Sequence, residues 1–419
     1  MDAQQHTLDI TTDIPLPPAH ENALRLILHT PLYRGAVVSL FISGIGGAAI
    51  TPQISSFLVN EMGASLSVAG MYYLTSLTAP IAGYMVGTRS DRTGQRLVFF
   101  RICSFLGFLG WLAFAYAPAL WMPFVISATI LAVAGAAMGQ LFAAIRDHVA
   151  AHPSSVGDGV IAYIRMAMTA GWMIGPVIGT TIAAATSTRW VAVFTSVCAL
   201  LQILPLTAVR TSPQVPLPTQ TGLSVQVPTK VTWSQLTPVL IFTALCLNIN
   251  ASETVKYAFL PIFMTDELHL SASLQGIAIG MQPFVELPLI PVAFALSHKV
   301  GSMRMAAAAA LIAALGNLIF VFADGAFGAI AGQACMGVVW GIMAGLGIII
   351  AQRLLPMAVA TASGIYLNTG AIGSAYGGFL GGIGASTLGL PTVFILPAIW
   401  CALASVGLYF MSRRIGHHV

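Results

Sequence analysis

Charge is scarce in this sequence: Asp, Glu, Lys and Arg together make up 7% of 419 residues, against 57% apolar ones. With a mean hydropathy of +0.87, that composition leaves too little polar surface to coat a water-soluble globule of this size. Cysteine is sparse as well. Cys103, Cys198, Cys246, Cys335 and Cys401 all sit in apolar runs with no C-x-x-C spacing, which reads as small buried hydrophobes rather than a disulfide frame or metal site. Also missing are an H-E-x-x-H metal motif, a nucleophile elbow, a phosphate-binding P-loop and an attached signalling domain. Those absences argue against a membrane enzyme, an ATP-driven pump and a receptor, and they call for no cofactor. Nucleic-acid binding has no basis either, because the basic residues are spread along the chain rather than gathered in one patch.

What the chain has in abundance is apolar runs. From residue 34 onward, stretches of roughly 18 to 25 residues recur, each able to cross about 30 Å of hydrocarbon as a helix. The alternating ten-residue segments of a membrane β-barrel are absent. Spans are expected near 34–58, 66–87, 97–117, 120–143, 158–186, 189–209, 237–264, 271–297, 303–323, 326–352, 358–386 and 391–411. The predicted fold is thus an all-α membrane protein of twelve transmembrane helices. Between the sixth and seventh spans runs "RTSPQVPLPTQTGLSVQVPTKVTWSQL", longer and more polar than any other internal connection. It divides the chain into a tail (1–33), a six-helix bundle (34–209), a linker (210–236), a second six-helix bundle (237–411) and a short C-terminal tail (412–419). The first thirty residues carry acids and prolines instead of a basic, then apolar, leader, so they read as a tail and not a signal peptide. With the N-terminus in the cytosol, fourteen of the seventeen Lys and Arg fall on the cytoplasmic side, Arg189 falls outside, and Arg165 and Lys256 lie within spans. That bias places both termini in the cytoplasm.

Against this background "GTRSDRTGQR", Gly87 to Arg96, crowds charge between spans 2 and 3. Gly87 allows a close helix approach, Gly94 permits a tight turn, and Asp91 is set to pair with a cation or cap a neighbouring helix. Its second-half counterpart is "SHKVGSMRM" between spans 8 and 9, where Lys299 matches Arg92, Gly301 matches Gly94 and His298 stands in place of Asp91. Paired halves of this kind are typical of secondary transporters with a midplane site between them.

Read with its spacing, the loop Gly87, Asp91, Arg92, Gly94, Arg96 resembles the signature loop of the major facilitator superfamily, in which it latches the halves on the cytoplasmic side. In span 5, "GWMIGPVIG" with Gly171, Gly175, Pro176 and Gly179 resembles the superfamily's exporter motif, with Thr180 where the family's last glycine usually stands. Small residues four apart also serve plain helix packing, and the glycines of "GAIGSAYGGFLGG" in span 11 read the same way. "MGQLFAAIRDH", the run from Arg165 to Pro176, Gly280 to Pro288 and "TPQISSFL" together look like the bacterial sugar efflux transporter family, over about residues 35 to 410. The resemblance implies export of sugars or glycosides against proton entry, across a bacterial cytoplasmic membrane. It supplies the sugar; the residues alone do not.

Ionisable groups inside spans are functional candidates because burying them costs several kcal/mol. They are Arg165 (span 5), Glu253 and Lys256 (span 7) and Glu286 (span 8). Glu286, near mid-span, is the first choice for a proton acceptor, the alternative being a permanent counter-ion to Arg165 across the halves. Glu253 and Lys256 are three apart on one face and are expected to neutralise each other near the outer end. All nine histidines fall in tails, loops or helix ends, so a moving proton must ride a carboxylate. For ring hydroxyls and an apolar sugar face, the candidates are Gln53, Gln140, Asn248, Asn250, Gln275, Gln282, Asn368, Trp172 and Trp340, with Gln140, Trp172 and Gln282 favoured. Interhelical hydrogen bonding and packing remain open for each. The expected protein is a monomeric, lipid-embedded proton antiporter of small sugars; a drug antiporter of the same fold is the alternative.

Overall fold

The computed structural model describes residues 22–152, 156–209 and 232–415, apart from the side chains of Asp158 and Ile415. Arg210, Lys230 and residues 210–231 of the expected linker lie outside it. Every regular element among the described residues is helical. After a short leading helix, Ala23–His29, the first half comprises α1 (Pro31–Glu61), α2 (66–93), α3 (Arg96–Ala115), α4 (Met122–Ala151), α5 (Gly157–Ala185) and α6 (Thr188–Leu206). The second comprises α7 (Trp233–Asp266), α8 (Ala272–Val300), α9 (Ser302–Val321), α10 (Ala326–Leu354), α11 (359–388) and α12 (Thr392–Arg414).

Ten of these helices are long and apolar enough to cross a membrane. The other two, α2 and α11, occupy the expected second and eleventh spans but are broken. In α2 a 3-10 stretch, Tyr72–Thr78, separates two α-helical pieces, and Arg89, Asp91 and Arg92 load its end. In α11 Asn368 interrupts the helix between Val359–Leu367 and Thr369–Leu388.

Packing repeats between the halves. In the first, α1 lies along α5 and α3 along α6; in the second, α7 lies along α11 and α9 along α12. Glycines make the closest of these approaches. A Cβ on Gly171 would stand 2.4 Å from the Phe41 carbonyl oxygen, one on Gly175 2.6 Å from that of Ile45, and one on Gly179 2.4 Å from that of Ala49. The counterpart is Gly377 of α11, whose Cβ would meet the Ala251 carbonyl oxygen at 2.3 Å. Backbone-to-backbone contact of this kind is how helices gain packing energy where lipid removes the hydrophobic drive. Gly171→Val is therefore expected to force α1 and α5 apart and cost ~1–3 kcal/mol or more. Gly47→Ala, whose new methyl meets nothing within 4 Å, is expected to be neutral or slightly stabilising. Thermal melting of the two purified variants compares them.

The halves touch along α5 with α8 and along α2 with α11. Gly276 sits against Val177 and Thr180, and Gly70 against Gly378 and Gly382. Ser67 Oγ donates to Ser386 Oγ at 2.7 Å, and Ser76 Oγ to the Ala371 carbonyl at 2.8 Å. These α2–α11 contacts lie at the end of the bundle away from the two termini. Toward the termini, Ala79–Thr93 of α2 packs on α4 instead of α11. Between α2 and α11 the cleft is thus closed at one end and parted at the other.

The connections that matter for function follow local rules. Gly94 (φ +66°) ends α2 in the left-handed region, and its N–H donates to Ser90 O at 2.9 Å. Gly301 (φ +95°) makes the equivalent turn between α8 and α9. At the other end of the bundle Glu61 accepts from Thr188 Oγ1 and from the Arg189 N–H at 2.7 Å, placing a carboxylate at the start of α6, where unpaired N–H groups favour it. Arg189 Nε lies 3.4 Å from the other oxygen, so this basic residue has a local structural role.

Candidate functional site

The site is built on α8, whose sequence "QPFVELPLIP" carries Pro283, Pro288 and Pro291 inside the helix. Each proline removes a backbone donor and kinks or loosens the turn before it. Glu286 lies between the first two, in a helix that nonetheless runs unbroken from Ala272 to Val300. Facing it, α7 contributes Glu253 and Lys256, one helical turn apart.

Lys256 is fully buried. Its Nζ lies 2.7 Å from Glu253 Oε1, and it also donates to Gln282 Oε1. Gln282 Nε2 in turn donates to Glu253 Oε1 at 2.8 Å. An ammonium, a carboxylate and an amide thus close a ring between α7 and α8. Below the ammonium lies the Tyr257 ring, 4.2 Å from Nζ to centroid, a cation–π contact. Tyr257 meets Trp172 of α5 edge-on at 6.4 Å, so the charged layer touches the first half through two aromatic rings. Glu286 is partly buried within electrostatic reach of Glu253, Lys256 and Arg165, yet forms no hydrogen bond or ion pair among the described residues. Arg165 is exposed.

The layer therefore holds two carboxylates and one buried ammonium. With both acids ionised it carries one net negative charge, which a proton or the Arg165 guanidinium would balance. Burying that charge unbalanced costs several kcal/mol, which makes the layer sensitive to whatever approaches from α5.

The residues singled out from the sequence scatter around this layer. Glu253 and Lys256 pair with each other, and Gln282 joins them into a network. Gln282 commits one bond from each end of its amide to this network, leaving its second N–H and second oxygen lone pair as its remaining capacity toward a ring hydroxyl. Gln140 is buried, with Oε1 lacking a protein partner. Gln53 is buried on the turn Thr51–Gln53, where α1 meets α7. Asn248 donates back to the Ala244 carbonyl of its own helix at 3.0 Å, and Asn368 to that of Gly364 at 2.8 Å. Asn368 is exposed at the break in α11, and Gln275 donates to Leu270 O at 2.8 Å, closing the α7–α8 connection. Trp172 also lines a cavity of about 410 Å³ in the first half, with Ser43, Ser104, Trp111, Thr195 and Gln202.

In the charged loop Arg96 pairs with Asp91, and its Nε donates to Asp147 of α4 at 3.0 Å. All three belong to the first half. Gly87 does not serve the close approach expected of it, since a Cβ there would meet nothing within 4 Å. The parting of α2 from α11 at this end accounts for that open space.

Sequence reasoning misses Asp147, Tyr257, Asn317 and Gln333, although the last two are amides in apolar runs and carry the same signal as the amides it selects.

The chain matches the Major Facilitator Superfamily over residues 36–255 and 241–418, together nearly all of the two bundles. The chain belongs to that superfamily. It is 24% identical over 383 residues to a putative sugar efflux transporter of Deinococcus radiodurans, covering 91% of this chain and 97% of that one. To sugar efflux transporter A of Dickeya chrysanthemi it is 26% identical, covering 88% and 93%. Among solved structures it resembles the nucleoside transporter NupG (TM-score 0.74, 15% identity, 91% of this chain and 98% of that one). It also resembles a peptide transporter POT in complex with sulfate (TM-score 0.77, 13% identity, 95% and 99%). The fold is thus the major facilitator fold, and the protein is a multi-pass membrane transporter, not an enzyme.

Proposed function

We propose that this superfamily member exports small sugars or glycosides from the cytoplasm across a bacterial inner membrane by proton antiport, alternating access between its two halves. The observation that carries the coupling is the layer in which one buried ammonium, Lys256, faces two carboxylates, Glu253 and Glu286. The names of the sugar efflux relatives support the cargo. The cleft parted toward the termini supports an inward-facing state, given the cytoplasmic placement of basic residues.

In this reading Glu286 is occupied in turn by a proton and by sugar. A neutral sugar donates hydroxyl hydrogens to ionised Glu286, whereas a protonated Glu286 has its charge already balanced. Each ligand therefore weakens the other, the reciprocal coupling that antiport needs. Arg165 approaches when the halves close at the cytoplasmic end and holds Glu286 ionised in the absence of a proton. Trp172 supplies an aromatic face toward the cleft. The Asp91–Arg96–Asp147 group acts as the loop that re-engages the second half on closure.

Counterflow in liposomes of radiolabelled lactose, glucose, arabinose and a thiogalactoside tests the cargo. At least one sugar is expected to exchange and to resist competition by lipophilic cations. Folded protein that exchanges none of them, or is blocked by such cations, would reassign it as a drug antiporter.

A further inference from the structure

We infer that the second half contains a hydrated polar seam, lined by Asn317, Gln333, Trp340 and the free oxygen of Glu253, that gives the carboxylate layer a proton route separate from the cleft used by the cargo. The route rests on the antiport reading above; the hydration does not.

Of the eight buried polar atoms without a protein partner among the described residues, five lie in this half: Glu253 Oε2, Asn317 Oδ1, Gln333 Oε1, Gln333 Nε2 and Trp340 Nε1. Asn317 and Gln333 are wholly buried. Buried amides without partners are rare in folded proteins, because each forfeits the hydrogen bonds it had in water.

Helix register brings these groups to one interior. Asn317 Nδ2 donates to Ser252 Oγ of α7 at 2.7 Å, and Ser252 precedes Glu253. Gly316 of α9 packs on Gly332 and Cys335 of α10, which sets Asn317 and Gln333 at one level. Four residues beyond Gln333, Gly337 packs against the Gln282 carbonyl; Gly341, beside Trp340, packs against the backbone of Glu286. Residues 333, 337, 340 and 341 share one helical face. That face of α10 therefore runs alongside the α8 segment that carries Gln282 and Glu286. The titratable groups around the seam are Glu253, Lys256 and Tyr257 on α7, Glu286 on α8, Cys335 on α10 and Cys401 on α12, with Arg165 approaching from α5.

The chemistry of the unpartnered atoms selects their ligand. Three are acceptors and two are donors. A cation would serve only the oxygens and would sit near the Lys256 ammonium; an anion would serve only the nitrogens. Water donates and accepts, so it satisfies both kinds, and buried waters typically bridge about three such groups. A row of waters between amides and a carboxylate also passes a proton from one oxygen to the next without net movement of heavy atoms.

Gln333→Leu is the discriminating variant, because Gln333 has no protein hydrogen bond to lose. The full-length protein in lipid nanodiscs is exposed to a radiolytic hydroxyl-radical pulse and read by mass spectrometry. Met336 is expected to label faster than the equally buried Met264 of α7, and Gln333→Leu to remove that excess. In proteoliposomes the same variant is expected to lower proton-driven efflux about tenfold, while counterflow stays within about twofold of wild type. Labelling of Met336 no faster than of Met264, with Gln333→Leu raising the melting temperature and leaving coupling intact, would overturn the seam. Wild type that exchanges sugar but never responds to a pH gradient would overturn the proton route together with the antiport reading, while the labelling still decides the hydration.

Discussion

Glu286→Gln is expected to abolish efflux driven by a pH gradient and to spare sugar counterflow. The amide has nearly the shape of the acid and still accepts from a sugar hydroxyl, but it binds no proton. Because its neutral charge matches the protonated carrier, cargo binds it more weakly than the carboxylate, and counterflow is read at saturating sugar, where the weaker binding no longer limits exchange. Counterflow needs access to alternate without net proton movement, and it should remain within about threefold of wild type. Gradient-driven efflux should fall about 100-fold, toward the upper end of a coupling free energy of ~1–3 kcal/mol. Paired assays in one batch of proteoliposomes measure both. Equal loss in both would make Glu286 part of the cargo site without a coupling role, and full retention of both would return it to a permanent counter-ion. Arg165, exposed and unpaired with Glu286 among the described residues, is free to do what this scheme requires of it.

Much of the fold was legible because its signals are local. Apolar runs give spans, since a helix is the simplest way to satisfy every backbone group in hydrocarbon. Gly94 and Gly301 mark equivalent turns in the two halves, and both take the positive φ that only glycine adopts easily. The glycine stripe from Gly171 to Gly179 pointed to a close approach, and α1 meets it through backbone carbonyls. The breaks in α2 and α11 were less visible. In "YYLTSLT" the hydroxyls of Thr75, Ser76 and Thr78 donate to the carbonyls three residues earlier, a local competition with the helix ladder that accompanies the 3-10 stretch.

The site was only half legible, for a different reason. Which ionisable residues lie in spans follows from sequence, but what each one meets depends on helix register between residues 26 or more positions apart. Gln282 illustrates this: read alone it is a sugar-type amide, and only its distance to Glu253 commits it to the ion network. Asn317 and Gln333 were equally polar in equally apolar runs. Their interest comes from facing an interior that offers too few protein partners, which no linear pattern encodes.

Lys256→Met separates structure from coupling in that network. Lys256 is wholly buried, and removing it leaves Glu253 with one oxygen already unpartnered and the other bonded only to Gln282. Losing one member of a buried pair costs about 3–5 kcal/mol, because an uncompensated charge stays behind. The single variant is therefore expected to melt far below wild type or to fail to accumulate. Adding Glu253→Gln removes the stranded charge, so the double variant should recover most of that loss despite having two substitutions. Melting curves of the purified single and double variants measure the recovery. If the pair only holds α7 against α8 through its bonds to Gln282, the recovered double variant will also couple to protons at the wild-type level. Restored stability with lost coupling would instead mean that Lys256 sets the charge against which Glu286 takes up its proton. A single variant as stable as wild type would sink the buried-pair account altogether.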